Sequence, residues 1–442
     1  MTEAFLQYVW QHKLLEGGLT TTDGQPVVVE RVGELNKDAG PDFLDARITV
    51  GGILWAGNVE VHIKASDWRS HQHSDDKAYN NVILHVVYAY DYDVVLENGR
   101  KVPTVEIADA IPEHVWRNYD DLMQSASSNS IPCASRLKEI PEFLFHIGQD
   151  RLLVERLQRK SDDVERLLKA TRGNWEQVCY MIIAHYFGGK TNAFPFELLA
   201  KITPMGVLAK IKNDPFRIEA LFFGQAGMLG DVFYDDYPNA LQREYNYMRV
   251  AYNLKPMPAH LWKFFRMRPA SFPTLRISQF SNLISRSSNL FSKLLETKEV
   301  KSLRTFFDVE ASDYWRNHFR FDKPVDKGSI KTLGDNTVDT ILINAWVPLL
   351  FRYGQSHDDD SLKEQALNIL HQIPAEKNTI VRLWQKAGIE PVDAADSQAI
   401  LQRYNEYCSK KRCLDCSLAF RLLKTNNSQS SDQATTNTND DL

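Results

Sequence analysis

Residues 43–50 and 53–63 set apolar and polar side chains in alternation on either side of Gly51-Gly52, which commits both stretches to β-strand. Phe43, Ala46, Ile48 and Val50 form the apolar set of the first, and Leu54, Val59, Val61 and Ile63 that of the second. Side chains two apart in a strand share a face, so Glu60, His62 and Lys64 project together, away from Val59, Val61 and Ile63. Asp42, directly after Pro41, faces this acid-x-base ladder from the neighbouring strand. A carboxylate in a strand that reads as buried needs a reason to be there, and a shared divalent cation beside a phosphate supplies one.

Around this pair the first hundred or so residues read as mixed α and β. Phe5, Leu6, Val9, Trp10, Leu14 and Leu15 recur at helical spacing, and Gly17-Gly18 closes that helix. Further strands are expected at 26–32, 81–90 and 102–107, with a short helix or turn over 74–79. Residues 82–88 are almost continuously apolar, as in a strand covered on both faces. From about Pro141 the apolar spacing becomes helical, and scattered prolines punctuate roughly eight to twelve helices. The expected organisation is an α/β domain over 1–110, a linker over 111–140, a larger all-α domain over 141–424 and a disordered polar tail over 425–442.

Composition excludes several classes. The 442 residues carry a formal net charge of −5, so no bulk positive field advertises nucleic acid, although a local basic patch is compatible with the total. No stretch approaches about eighteen uninterrupted apolar residues, so no membrane span is expected. The first residues lack the basic start and apolar run of a signal peptide. Five cysteines in a chain this long do not make a disulfide scaffold, which fits a reducing cytoplasm.

Metal-assisted phosphodiester cleavage needs carboxylates to hold the ion and a group to orient or deprotonate the attacking water. Asp42 and Glu60 would ligate Mg²⁺ or Mn²⁺, Glu30 would add a third acid, and His62 or Lys64 would stand at the base position. In this order of elements, with Pro41-Asp42 and then Glu60-x-His62, the first 110 residues resemble the PD-(D/E)XK nuclease superfamily. The resemblance implies a restriction-endonuclease-like mixed sheet flanked by helices and hydrolysis of DNA or RNA. It places His62 where the motif has lysine, with Lys64 one strand repeat further on. The whole chain also resembles the family called domain of unknown function 2851, found largely in Bacteroidetes. That likeness rests on Gly40-Pro41-Asp42-Phe43, Asn58–His62, Ser66-Asp67-Trp68, His71-Gln72-His73 with Asp76 and Tyr79, Leu84–Val87 and Cys408–Cys416.

The same stretch supports a second metal reading. His62, His71, His73 and His85 fall close together, and His71, His73 and Asp76 would suit Zn²⁺, Mn²⁺ or Fe²⁺ in a metallohydrolase. The plainer alternative makes His71 and His73 loop residues and His85 a strand histidine satisfied by hydrogen bonds. A third reading is a non-catalytic scaffold, a degenerate nuclease fold that binds nucleic acid or protein.

Near the end, Cys408-x4-Cys413-x2-Cys416 offers three thiolates at a helix start, with Cys133 in a turn as a fourth. Zinc and iron–sulfur clusters both want four ligands, and spacing does not choose between them. Cys179, in an apolar helix, reads as core. Residues 260–279 interleave cations with aromatics, as single-strand binders do, but an amphipathic helix accounts for the same pattern. Lys410, Lys411 and Arg412 would touch a phosphate backbone or simply be solvated. Gly188-Gly189-Lys190-Thr191 follows a helix rather than a strand and lacks the leading glycine, so it is not a phosphate loop.

Overall fold

The computed structural model describes residues 1–125, 130–287 and 289–426. It contains two compact units, one formed by 1–150, 382–390 and 400–442 and the other by 151–381 and 391–399. These units cut across the expected boundaries. The segment expected as a linker carries a helix at Glu113–Gln124, and the cysteine-bearing end belongs with the first unit, not with the helical one. Side-chain to backbone bonds hold that end in place. Asn118 Nδ2 donates to the carbonyls of Leu423 (3.0 Å) and Thr425 (2.9 Å), and Arg136 Nη2 donates to that of Leu422 (2.8 Å). Residues 427–442 of the expected tail lie outside the described residues.

The first unit is built on a mixed seven-stranded sheet. Its elements are α1 (Glu3–Gln11), β1 (Leu19–Thr20), β2 (Pro26–Arg31), β3 (Glu34–Leu35), β4 (Phe43–Val50), β5 (Ile53–Lys64), α2 (Asp67–Ser70), β6 (Val82–Ala89), β7 (Thr104–Glu106) and α3 (Glu113–Gln124). The strand order is β1-β2-β4-β5-β6-β7, with β3 paired to β4. Pairing is antiparallel as far as β5 and parallel across β5, β6 and β7. The expected apolar run becomes β6, whose residues Val82–Val87 are all buried, as the parallel interior of a sheet requires.

Register within the sheet decides what can meet. At the far end of the β4–β5 pair Val50 lies across from Ile53 and Ala46 from Gly57, but beyond a β-bulge Phe43 lies across from Val59. Leu44 and Asp45 oppose Asn58 alone, and Asp45 takes a positive φ of 55°. Continued without the bulge, the pairing would set Asp42 opposite Val61, on the face away from Glu60. With the bulge, Asp42 falls opposite Glu60, because a one-residue slip exchanges the two faces of a strand. The β5–β6 register also shifts, between Asn58 and Val59, and this shift brings His85 alongside Glu60.

Both irregularities fall at Asn58, next to Gly57. A Cβ on that glycine would lie 2.5 Å from Ile83 Cγ2 and 2.6 Å from the Asn81 carbonyl oxygen, so the close approach of backbone to β6 requires glycine. The second unit is mostly helical, with a short β-hairpin of His318–Arg320 and Lys323–Pro324. Residues 260–279 are not one amphipathic helix: they form two short 3-10 turns followed by the start of the helix Pro273–Arg286. There Trp262 is buried, with its Nε1 donating to the Ala226 carbonyl at 2.8 Å. Among the described residues no helix is long and apolar enough to cross a membrane. Gly57→Ala is expected to destabilise the first unit by about 1–3 kcal/mol, because the clash is with backbone and a packed branch. An unchanged thermal midpoint would show that the sheet does not depend on this approach.

Candidate metal centre

Each of the two central carboxylates is held by the other's strand. The Asp42 backbone N–H donates to Glu60 Oε2 at 3.0 Å, and the Val61 N–H donates to Asp42 Oδ2 at 2.9 Å. Covalent geometry then keeps the two groups within about 8 Å of each other. The opposing register that the bulge creates is the cause. Glu60 is 4% exposed, and burial together with the neighbouring Asp42 charge pushes its pKa up to about 9. Burial also raises Asp42, against the opposing effect of the Val61 N–H and of Gln7 Nε2, which donates to Oδ1 at 2.8 Å.

Imidazoles complete the cluster. Glu60 Oε1 lies 3.3 Å from His62 Nε2 and 3.2 Å from His73 Nε2. His71 Nδ1 is 3.2 Å from His62 Nε2, and His62 Nδ1 is 2.9 Å from His85 Nε2. Burial and the neighbouring rings lower His62 to about 2 and His85 to about 3, so both rings are neutral near pH 7. A neutral ring has one N–H. If the His62 proton sits on Nδ1 and is donated to His85, Nε2 is left with its lone pair aimed at Glu60 and His71, the orientation a metal ligand needs.

Aromatic walls fix the rings. Tyr79 stacks on His73 with centroids 3.9 Å apart, and Trp68 meets His73 and His85 edge-on at 5.5 and 5.3 Å. Trp68 and Tyr79 in turn belong to a buried cluster with Val82, Val94, Leu96 and Val102.

Two observations fit these residues to a cation. Ligand atoms of His62, His71 and His73 all lie within 4.8 Å of one another. His73 Nε2 is buried beside the Glu60 oxygen yet makes no hydrogen bond, so the two atoms converge without satisfying each other. Three imidazoles and a carboxylate are a donor set for Zn²⁺, Mn²⁺ or Fe²⁺ more than for Mg²⁺, which prefers oxygen.

The structure sorts the sequence-predicted residues. Asp42, Glu60, His62, His71 and His73 come together, and His85 buttresses His62 from behind. Glu30 does not join them: it is exposed on β2, across β4 from β5, and accepts from Thr49 Oγ1 at 2.9 Å, well along β4 from Asp42. Lys64 is exposed at the end of β5, where the sheet has passed the cluster and its backbone N–H is tied to Asp67 Oδ2. Asp76 spends a carboxylate oxygen on capping the turn Lys77–Asn81 through the Ala78 N–H at 2.9 Å. The acid that sequence reasoning missed is Glu3. It lies one turn before Gln7 on α1, and its pKa is raised by burial and, more weakly, by the Asp42 and Asp67 charges, while His71 and His73 oppose the rise. The Glu3-x3-Gln7 spacing on the polar side of an otherwise apolar helix was the available signal.

Residues 3–379 match the family described as protein of unknown function (DUF2851). The chain belongs to the DUF2851 family. No curated protein and no solved structure matches it. The matched span contains every residue of the histidine–carboxylate cluster and Cys133, and ends before Cys408, Cys413 and Cys416.

A raised carboxyl pKa contributes stability that is complete below the unfolded value of 4.5 and is lost as pH climbs toward 9. The lowered histidines act in the opposite sense, and their contribution is complete above their unfolded 6.5. Between pH 6.5 and 9 the carboxyl penalty therefore stands apart from the histidines. In chelator-treated protein Glu60→Gln should be the more stable form at pH 8, by on the order of 2–4 kcal/mol, with no such gain at pH 4.5. Thermal melts of parent and variant across this range test it, and parallel pH curves would refute the buried-carboxyl account.

Proposed function

We propose that this protein is a metal-dependent hydrolase of phosphodiester bonds, acting on DNA or RNA at the Asp42–Glu60–histidine cluster. The observation that carries the reading is the convergence of buried Glu60 Oε1 with the Nε2 atoms of both His62 and His73, opposite Asp42. A bound divalent cation would supply polarisation of a phosphoryl oxygen and a nucleophilic water at neutral pH. Glu60, His62, His71 and His73 would hold it.

Asp42 is the chain's own candidate to orient or deprotonate the attacking water. It is only half-buried, and Gln7 and the Val61 N–H fix its carboxylate. Desolvation raises the proton affinity of Asp42 above that of an ordinary surface aspartate, against the opposing Val61 N–H, Gln7 and the nearby imidazoles, which suits a base. His85 acts through His62, setting its tautomer. Lys64 and Glu30 have no part in this chemistry.

What supports a phosphodiester over another hydrolysable bond is topology. An acid after a proline on β4 and an acid-x-imidazole ladder on β5, in a sheet that turns from antiparallel to parallel at β5, agrees with the restriction-endonuclease-like arrangement expected from the motif. The histidine content favours Mn²⁺, Zn²⁺ or Fe²⁺ as the working ion over Mg²⁺.

Purified protein incubated with each of these ions and with single- and double-stranded DNA and RNA should cleave at least one substrate. Asp42→Ala and His73→Ala should each reduce the rate by about 100-fold or more, the scale on which acid–base and metal-ligand losses act. Cleavage by both variants at the parent's rate would end the proposal.

A further inference from the structure

Cys133, Cys408, Cys413 and Cys416 line a single pocket in the first unit, together with Arg403 and Tyr407. In sequence Cys133 and the other three flank the whole of residues 151–381, so only folding brings them together. Cys408 ends a π-helical turn, Tyr404–Cys408, a rare distortion that is frequent at functional sites. The chain then turns through Lys411, at a positive φ of 55°, and delivers Cys413 and Cys416 to the same pocket before the helix Ala419–Lys424. All four are free thiols, and Cys133 and Cys408 are buried.

Arg403 is the second observation. Its side chain is completely buried, among the largest such groups in the protein. Nη1 points at Cys416 Sγ at 3.7 Å, and the guanidinium lies 4.8 Å over the Phe145 ring. Nε and Nη2 have no hydrogen-bond partner, and among the described residues no carboxylate pairs with this cation. The group packs closely against Gly148, where a Cβ would come within 3.1 Å of Nη2 and 2.6 Å of Ser417 Oγ. A buried, unpaired guanidinium is strongly destabilising unless a negative charge compensates it. Four neutral thiols do not provide one.

We propose that Cys133, Cys408, Cys413 and Cys416 bind a metal centre as four thiolates, and that Arg403 is the counter-ion of the anionic complex. Binding releases the four thiol protons to solvent and replaces them with the metal. A tetrathiolate zinc site carries two net negative charges and a cubane iron–sulfur cluster is likewise anionic, so either chemistry relieves Arg403. Both share the requirement for four sulfur ligands. The centre would staple the C-terminal segment to the turn after α3, beside the contacts of Asn118 and Arg136 with residues 422–425. It is independent of the histidine–carboxylate centre and of whatever that centre catalyses.

The test uses the full chain, purified anaerobically without chelator. Zinc, or iron with an equal amount of acid-labile sulfide, should co-purify in proportion to protein, and the identity of the metal distinguishes the two chemistries. Replacement with Co²⁺ should give intense sulfur-to-cobalt charge-transfer absorption, which cobalt on histidine and carboxylate does not produce. The absorption should survive His71→Ala with His73→Ala and also Cys179→Ala, and be lost in Cys413→Ser with Cys416→Ser. Should the double serine variant fail to fold, the parent still decides. A folded parent that shows no charge-transfer band with Co²⁺, takes up neither zinc nor iron with sulfide, and keeps all four thiols freely reactive would overturn the proposal.

Discussion

The buried Glu60 carboxylate is the constraint on which the first unit's geometry turns. Its desolvation is tolerable only because backbone and side-chain groups meet it from several elements. The Asp42 N–H comes from β4, His62 from its own strand, and His73 from the segment between β5 and β6. Each contact fixes a different part of the chain around one oxygen pair. The Asp42 N–H bond reduces the burial cost without cancelling it, and burial with the Asp42 charge favours the protonated carboxyl at neutral pH. In the function proposed above a cation would take the place of that proton, with the neutral imidazoles around it as further donors.

The sheet is shaped to permit that meeting. One bulge on β4 and one register shift on β6 fall at the level of Gly57 and Asn58, and together they turn Asp42, Glu60, His62 and His85 to a common face. Neither irregularity is a defect of packing: Phe43, Ala46, Ile48 and Val50 remain buried on the other side of β4. The apolar face is conserved through the bulge while the polar face is re-aimed. Behind it Trp68 and Tyr79 hold the imidazoles rigid, so hydrophobic packing supplies the orientation that a ligand set needs.

A similar tension marks the cysteine pocket. There a buried cation lacks an anion, whereas at Glu60 a buried anion-forming group lacks a cation. In both places the polypeptide alone leaves a charged or polar group unsatisfied, and in both the surrounding residues are soft or borderline metal donors. The two clusters lie in the same compact unit but offer different chemistry, sulfur in one and imidazole with carboxylate in the other.

Period-two alternation was enough to read β2, β4, β5 and β6 from the sequence to within about a residue or two, because a half-buried strand must alternate. The apolar run of β6 likewise declared a strand covered on both faces. Even the bulge left a trace, in the three-residue step from Phe43 to Ala46 among steps of two. Linear order could not reveal that Glu30 faces solvent, that Lys64 lies past the cluster, or that Glu3 approaches it from α1. Those outcomes depend on strand register and helix docking, which sum contacts between distant residues. In the sequence only ligand count groups Cys133 with the three later cysteines, whereas their common pocket and the buried Arg403 beside it exist only in the folded chain. Local side-chain periodicity therefore determined the elements and the residue types available for chemistry. Tertiary packing decided which of them meet, since desolvation and register act between segments that the sequence holds apart.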